Sequence, residues 1–170
     1  MDTIDHSKTP GYYEEIPYPY KKKDELLRIF SDFTIEVHTT ADPDFEFQDE
    51  NGVALIIKNP YGGYDIEIEL DAEISLFFAG WHTHYFTYEY DYRQMIETAR
   101  DIINGIQFVA FLSRNGEWYG SSLEDSPITL DEFLNRWKKG PLPYTDEQIA
   151  EIKNADLDFQ LRYWHQEGSK

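Results

Sequence analysis

The sequence predicts an α+β domain with a mainly antiparallel sheet, one central helix at about residues 91–104 and two further helices near the C-terminus. Three observations lead to this fold class. Strand-like segments dominate the chain before residue 91, one apolar stripe at three-and-four spacing follows at 92–106, and two helix-capping signals occur after residue 128. Strands and helices that come in separate runs, without regular alternation, are typical of α+β folds.

The length of the chain and its N-terminal composition predict the domain organisation. A chain of 170 residues, 41% of them hydrophobic, has the size and the core material of one domain. Pro17 and Pro19 favour extended backbone in themselves and in the residues before them. We therefore expect an extended N-terminal arm over residues 1–22 and a single α+β domain over residues 23–170.

The first half of the domain reads as one short helix followed by strands. Apolar spacing predicts a helix at about residues 23–33, and a strand follows at 34–38. The Asn51-Gly52 dipeptide is a strong hairpin signal and predicts that strands at 45–48 and 53–58 pair across it.

The clearest alternation in the chain covers residues 64–70, where apolar residues alternate with Asp65, Glu67 and Glu69. We expect this strand to pair antiparallel with a second strand at 73–85, and its three acids to form a solvated face. If the second strand keeps its alternation past Phe78, then Gly80, His82 and His84 share the core face, while Trp81, Thr83 and Tyr85 point to the other side.

The second half carries explicit start and stop signals. Asp91 with Gln94 is a capping signal for the central helix, and Gly105 is suited to end it. Asn115-Gly116 predicts a hairpin between 108–112 and 118–121. Two further helices open at the Thr129/Glu132 and Thr145/Gln148 capping boxes, and residues 157–164 alternate as a last strand.

The charge of the chain bears on its partners. The net charge is −18, from 33 acids against 15 lysines and arginines. Such a chain repels a phosphate backbone, so we expect no direct nucleic-acid binding and favour a basic protein partner. The N-terminus lacks a signal-peptide pattern, and the longest near-continuous apolar run, 74–81, is too short to span a membrane. We expect a soluble cytoplasmic protein with no membrane partner; the sequence leaves its oligomeric state open.

The segment GWHTHYFTYEYDY at residues 80–92 is the main candidate for a functional site. Two histidines one residue apart lie among aromatic and acidic residues, which fits a metal site, a binding surface or the end of a well-packed strand. A further expectation is that His82 or His84 lines a concave site within reach of Tyr88 or Asp91. The candidate binding residues are Trp81, His82, His84, Tyr85, Tyr88, Tyr90 and Asp91.

A metal-dependent hydrolase is the alternative function. His82 and His84 could share a divalent metal such as zinc, with Glu89 or Asp91 as an oxygen donor. No other cofactor is expected, because cysteine is absent and the chain lacks a glycine-rich phosphate loop, a G-x-S-x-G motif and an H-E-x-x-H motif.

The aromatic content favours a different class of function. Thirteen tyrosines exceed the needs of a core, and tyrosine serves well at interfaces because its ring is buried while its hydroxyl stays hydrated. The leading hypothesis is a non-enzymatic, acidic protein-interaction domain of inhibitor type that binds a basic partner. In its small size and acidic α+β composition the chain resembles the immunity proteins that bacteria keep against their own toxins.

Overall fold

The structure is a computed structural model that describes residues 15, 16, 18–141 and 143–165. Within these residues it has eight strands in two antiparallel sheets and four α-helices, which confirms the predicted α+β class. A short 3-10 helix, Pro19–Lys22, precedes the first α-helix. The elements are α1 (Lys23–Ile29), β1 (Ile35–Thr39), β2 (Val53–Ile57), β3 (Ile66–Leu70), β4 (Ile74–Phe78), β5 (Trp81–Tyr85), α2 (Glu89–Ile103), β6 (Phe108–Arg114), β7 (Glu117–Glu124), α3 (Leu130–Trp137), α4 (Asp146–Lys153) and β8 (Leu157–Arg162).

Most of the predicted N-terminal arm lies outside the described residues, and its boundary at residue 22 stays a prediction. Where the description starts, Glu15 forms an isolated bridge with Tyr88, and the buried Ile16 donates its backbone N–H to the carbonyl of Thr87. No helix in the described part of the chain is long and apolar enough to cross a membrane.

The first sheet has the strand order β1-β2-β3-β4-β5, with every neighbouring pair antiparallel. Alternate residues of each strand point to opposite faces, so one face is built from the apolar set of β2, β3 and β4. This inner face packs against α1 and α2. The buried residues of the two helices that contribute to this core are Leu26, Tyr92, Met95, Ile96, Ala99 and Ile102.

The second sheet has the order β7-β6-β8. Its helix side, with Ala110 and Leu112, forms a separate core with buried residues of α3 and α4 such as Phe133 and Ile152. Its other side adds Val109 to the core of the first sheet. Trp164, just after β8, is 1% exposed in that core, and its carbonyl accepts a hydrogen bond of 2.7 Å from Asn59 Nδ2.

A tight turn at Ala79-Gly80 joins β4 to β5 within the first sheet, contacts the second sheet and corrects the sequence prediction. The predicted single strand at 73–85 is two strands, β4 and β5, because the chain reverses at these residues with φ values of 54° and 86°. Gly80 lies so close to the second sheet that a Cβ on it would be 2.5 Å from Phe111 Cε2. The carbonyl of Ala79 accepts from Arg162 Nη1 at 2.9 Å, which fixes the turn against β8.

The reversal also inverts the predicted side of the histidines. Trp81 pairs with Phe78 in the sheet and takes the inner face, as do Thr83 and Tyr85. His82 and His84 pair with Phe77 and Ser75 and therefore point to the outer face. The prediction that the two histidines share the core face was wrong, because it assumed that alternation continued through residue 80.

Two other local predictions were wrong. Residues 45–48 form no strand, and β2 pairs with β1 instead. The Asp71 carboxylate accepts hydrogen bonds from the backbone N–H groups of Gln48 and Asp49 at 2.6 and 2.7 Å. These two N–H groups therefore have hydrogen-bond partners without pairing to another strand. Asp91 does not cap the central helix, which begins at Glu89 without a side-chain cap hydrogen bond.

The remaining helix and turn signals are confirmed. The capping boxes at Thr129 and Thr145 are both formed. Gly105 follows α2 with φ 72°, and the Asn115-Gly116 turn joins β6 to β7.

Candidate functional site

The structure divides the predicted binding residues among three places. Trp81 and Tyr85 pack against the inner core, and the Tyr85 hydroxyl donates to Thr98 Oγ1 at 3.1 Å. Burial raises the pKa of Tyr85. These two aromatic residues therefore support the fold.

Tyr88, Tyr90 and Asp91 lie at the start of α2. Tyr88 is 38% exposed, and burial raises the pKa of the Asp91 carboxyl. Since α2 packs on the inner face, the helix and the His82 and His84 side chains are on opposite faces of the sheet. The seven predicted residues do not form one site.

His82 and His84 lie on the outer face of the first sheet, which none of the four helices covers. Phe45 covers one end of this face by stacking on His38, with ring centroids 4.3 Å apart. Strand register arranges the face in two cross-strand rows, from β1 to β5. The first row is Glu36, Ile56, Glu67, Phe77 and His82, and the second is His38, Ala54, Glu69, Ser75 and His84.

Glu67 and Glu69 occupy neighbouring positions at the centre of this face, two residues apart on β3. Both side chains are half-buried, with Glu67 between Ile56 and Phe77. Burial raises the pKa of Glu67, and it raises the pKa of Glu69 to about 7, where the negative charge of Glu67 adds to the effect. The two carboxyls thus hold a proton that exposed glutamates would release.

A depression of about 390 Å³ opens beside Glu67. Its floor is the row of Ile56, Glu67, Phe77 and His82, and the ring of His82 stacks on that of Phe77 at 5.5 Å. Asp65 also lines it and forms an ion pair with Lys58 at 2.5 Å. The depression therefore combines carboxylates with aromatic and aliphatic surface, and it ends at the Ala79-Gly80 turn.

His84 is held by its neighbours on the second row. Its Nδ1 atom lies 2.9 Å from Ser75 Oγ and 3.0 Å from Glu73 Oε1. A serine–histidine–acid triad needs the serine and the acid on different ring nitrogens. Because both contacts here are made by one nitrogen, the arrangement positions the imidazole and does not relay a proton from Ser75 to Glu73.

The described residues contain no group of three or more His, Asp or Glu side chains arranged to hold a metal ion. The rings of His82 and His84 are 5.3 Å apart and inclined by 75°. The oxygen donors considered with them, Glu89 and Asp91, belong to the helix on the inner side. A metal site here would have to rely on the two histidines alone.

Sequence reasoning missed Trp118 as a candidate functional residue. The indole is 60% exposed, and its Nε1 donates to Ser121 Oγ at 3.4 Å. A β-bulge between Leu112 and Ser113 shifts the register of β7, so Tyr119 packs on the helix side while Trp118 lies opposite Ser113. Simple alternation counted back from Ser121 would have given the exposed position to Tyr119.

Comparison with known proteins assigns no family, since no family model, no curated protein and no solved structure matches the chain. A function for this chain is therefore inferred from the chemistry of the outer face.

Proposed function

We propose that the protein is a non-enzymatic interaction domain that binds a basic protein partner through the outer face of its first sheet. The observation that carries this proposal is the Glu67–Glu69 pair. Two half-buried carboxyls with raised pKa values lie side by side there on β3, and among the described residues no lysine or arginine forms a salt bridge with either one. A cation supplied by a partner would neutralise these two carboxyl groups.

An arginine side chain fits this chemistry best. A guanidinium donates up to five hydrogen bonds in a planar fork and can stabilise both ionised carboxylates by bonding to them. Phe77 lies beside Glu67, and His82 follows it on β5 in the same row; the two rings offer surface to the aliphatic stem and the planar head of the same side chain. The pair and the rings together favour arginine over a simple metal cation.

The charge of the whole chain supports the same class of partner. A net charge of −18 steers a cationic surface towards the protein and disfavours acidic competitors. Enzymes that act on nucleic acids carry cationic surfaces for phosphate, and an acidic protein can occupy such a surface. We therefore propose that the protein acts as an inhibitor or an immunity protein against a basic enzyme or toxin.

The test is a titration with a nona-arginine peptide at two salt concentrations. The variant Glu67→Gln/Glu69→Gln removes both carboxylates with little change of shape. The matched control is Glu147→Gln/Glu151→Gln, which removes two carboxylates, and at least as much negative charge, at two exposed positions of α4.

We expect salt to weaken binding to the wild type and the outer-face variant to lose about tenfold in affinity, or ~1.4 kcal/mol. The control should lose much less. Equal losses in the two variants, or an affinity indifferent to salt, would overturn the proposal.

A further inference from the structure

Trp118 is the one exposed tryptophan in the described chain. Its side chain is 60% exposed, whereas Trp164 is buried and Trp81 and Trp137 are half-buried. An indole combines a large apolar surface with an N–H donor, and exposed aromatic anchors of this kind are enriched among the residues that dominate binding energy. Neither core nor helix packing accounts for its position.

The indole is held at the edge of the outer-face depression. Trp118 Nε1 donates to Ser121 Oγ, and Ser121 Oγ donates to the carbonyl of Gly80 at 3.0 Å. Gly80 itself lines the depression that contains Glu67 and His82. Two hydrogen bonds thus connect the exposed ring to the rim of the acidic depression and orient it there.

A second depression lies on the same face of the second sheet as Trp118, and both acidic and basic residues line it. Trp118 pairs with Ser113, and Ser113 pairs with Asp158 across the second sheet, so the three side chains form one cross-strand row. Asp158 and Asp156 line a depression of about 360 Å³ together with Phe111 and Arg162. Ser113 thus separates the indole from Asp158 in this row.

We propose that Trp118 is the aromatic anchor of a docking surface that continues from the outer face of the first sheet across the Ala79-Gly80 turn, and that it takes an arginine-bearing segment of the basic partner. This inference rests on the function proposed above. Guanidinium groups stack on indole faces while they bond to neighbouring carboxylates, so the arrangement suits arginine better than lysine. The partner segment must be long enough to cross the turn between the two depressions.

The experiment compares Trp118→Ala and Phe86→Ala in titrations with nona-arginine and nona-lysine peptides. Phe86 is 77% exposed and follows the other end of β5, so it controls for the loss of any exposed ring. We expect Trp118→Ala to lower the affinity for nona-arginine by about tenfold and Phe86→Ala to leave it within about twofold. The loss for nona-lysine should be smaller.

Fluorescence gives a second readout of the same contact. Nona-arginine should change the tryptophan emission of the wild type, and the change should be smaller in Trp118→Phe, in which Trp81 beside the outer-face depression still reports. If Glu67→Gln/Glu69→Gln weakens binding while Trp118→Ala does not, the anchor is refuted and the proposed function stands. If neither variant differs from its control, both proposals fail.

Discussion

Glu67 and Glu69 lie two residues apart on β3, with both side chains on the outer face of the first sheet, which none of the four helices of the described chain covers. Apolar neighbours on β2 and β4 half-bury the pair, while Lys58, just after β2, forms ion pairs with Asp65 and Glu36. The arrangement is unfavourable for two full negative charges. The free protein lowers the repulsion between these charges by keeping a proton on the pair near neutral pH. A bound cation would lower the repulsion by neutralising the ionised carboxylates.

The first prediction concerns the pH dependence of stability. Burial raises the pKa of Glu69 from 4.5 to about 7, so between these pH values the folded state binds more protons than the unfolded state. The free energy of unfolding therefore falls as the pH rises through this window. Glu69→Gln should remove this loss, and its stability relative to the wild type should be higher at pH 8 than at pH 5 in urea unfolding.

The control for that measurement is Glu147→Gln, which removes an exposed carboxylate from α4. Its stability relative to the wild type should change little between pH 5 and pH 8. An equal change in Glu147→Gln and Glu69→Gln would mean that overall charge, and not the carboxyl pair, causes the effect.

The second prediction concerns the pH dependence of binding. A guanidinium stabilises the ionised form of Glu69, so affinity for nona-arginine should increase as the pH rises through about 7. Calorimetric titrations at pH 6 and pH 8 measure this, and the increase should shrink in Glu69→Gln. An undiminished increase in that variant would assign the effect to the other charged groups facing the pair, which are Glu36, His38, Lys58, Asp65, Asp71, Glu73, His82 and His84.

The third prediction concerns the Ala79-Gly80 turn, which joins β4 to β5 and packs against the second sheet. Gly80→Ala places a Cβ 2.5 Å from the Phe111 ring in a residue with φ +86°. Gly62→Ala meets nothing within 4 Å at φ +75°, so it carries the backbone strain alone. We expect about 1–2 kcal/mol of destabilisation for Gly62→Ala and ~1–3 kcal/mol more for Gly80→Ala, measured by urea unfolding. Equal losses would show that Phe111 yields without cost.

The fourth prediction separates the buried tryptophan from the exposed one. Trp164 fills the core between Phe33 and Phe78, with ring centroids 6.0 and 6.3 Å away. Trp164→Ala should lower the free energy of unfolding by about 3–5 kcal/mol, because it leaves a large cavity. Trp118→Ala should change it by less than about 0.5 kcal/mol. A large loss of stability in Trp118→Ala would give this residue a structural role instead.

Much of the fold follows from local signals in the sequence. The apolar stripe of residues 92–106 predicted the central helix, which the structure has at Glu89–Ile103. Both threonine capping boxes mark the starts of helices in the structure. The pairing of β3 with β4 followed from alternation on both sides of a tight turn. Each of these elements is specified within about 15 residues of chain, where periodicity and capping act directly.

The outer face could not be predicted because it depends on contacts between distant strands. The chain reverses at Ala79 with φ 54°, but alanine is not a turn signal of the Asn-Gly type, so the sequence does not mark this reversal. The length of the predicted strand was a hint, because 13 residues is longer than strands usually are. Alternation alone assigned Glu67 and Glu69 to a solvated face. Their half-burial arises from Ile56 on β2 and Phe77 on β4. The order of residues in the sequence does not show which residue of β2 lies opposite Glu67.

The most direct test of the account is a map of the bound surface by two-dimensional ¹H–¹⁵N NMR during titration with nona-arginine. We predict saturable shifts in the amides of β3, β4 and β5 and in the indole N–H of Trp118, with the amides of α4 unchanged. Shifts concentrated on the acidic surface of α4, or spread over all acidic segments without saturation, would contradict the assignment of the outer face as the docking surface.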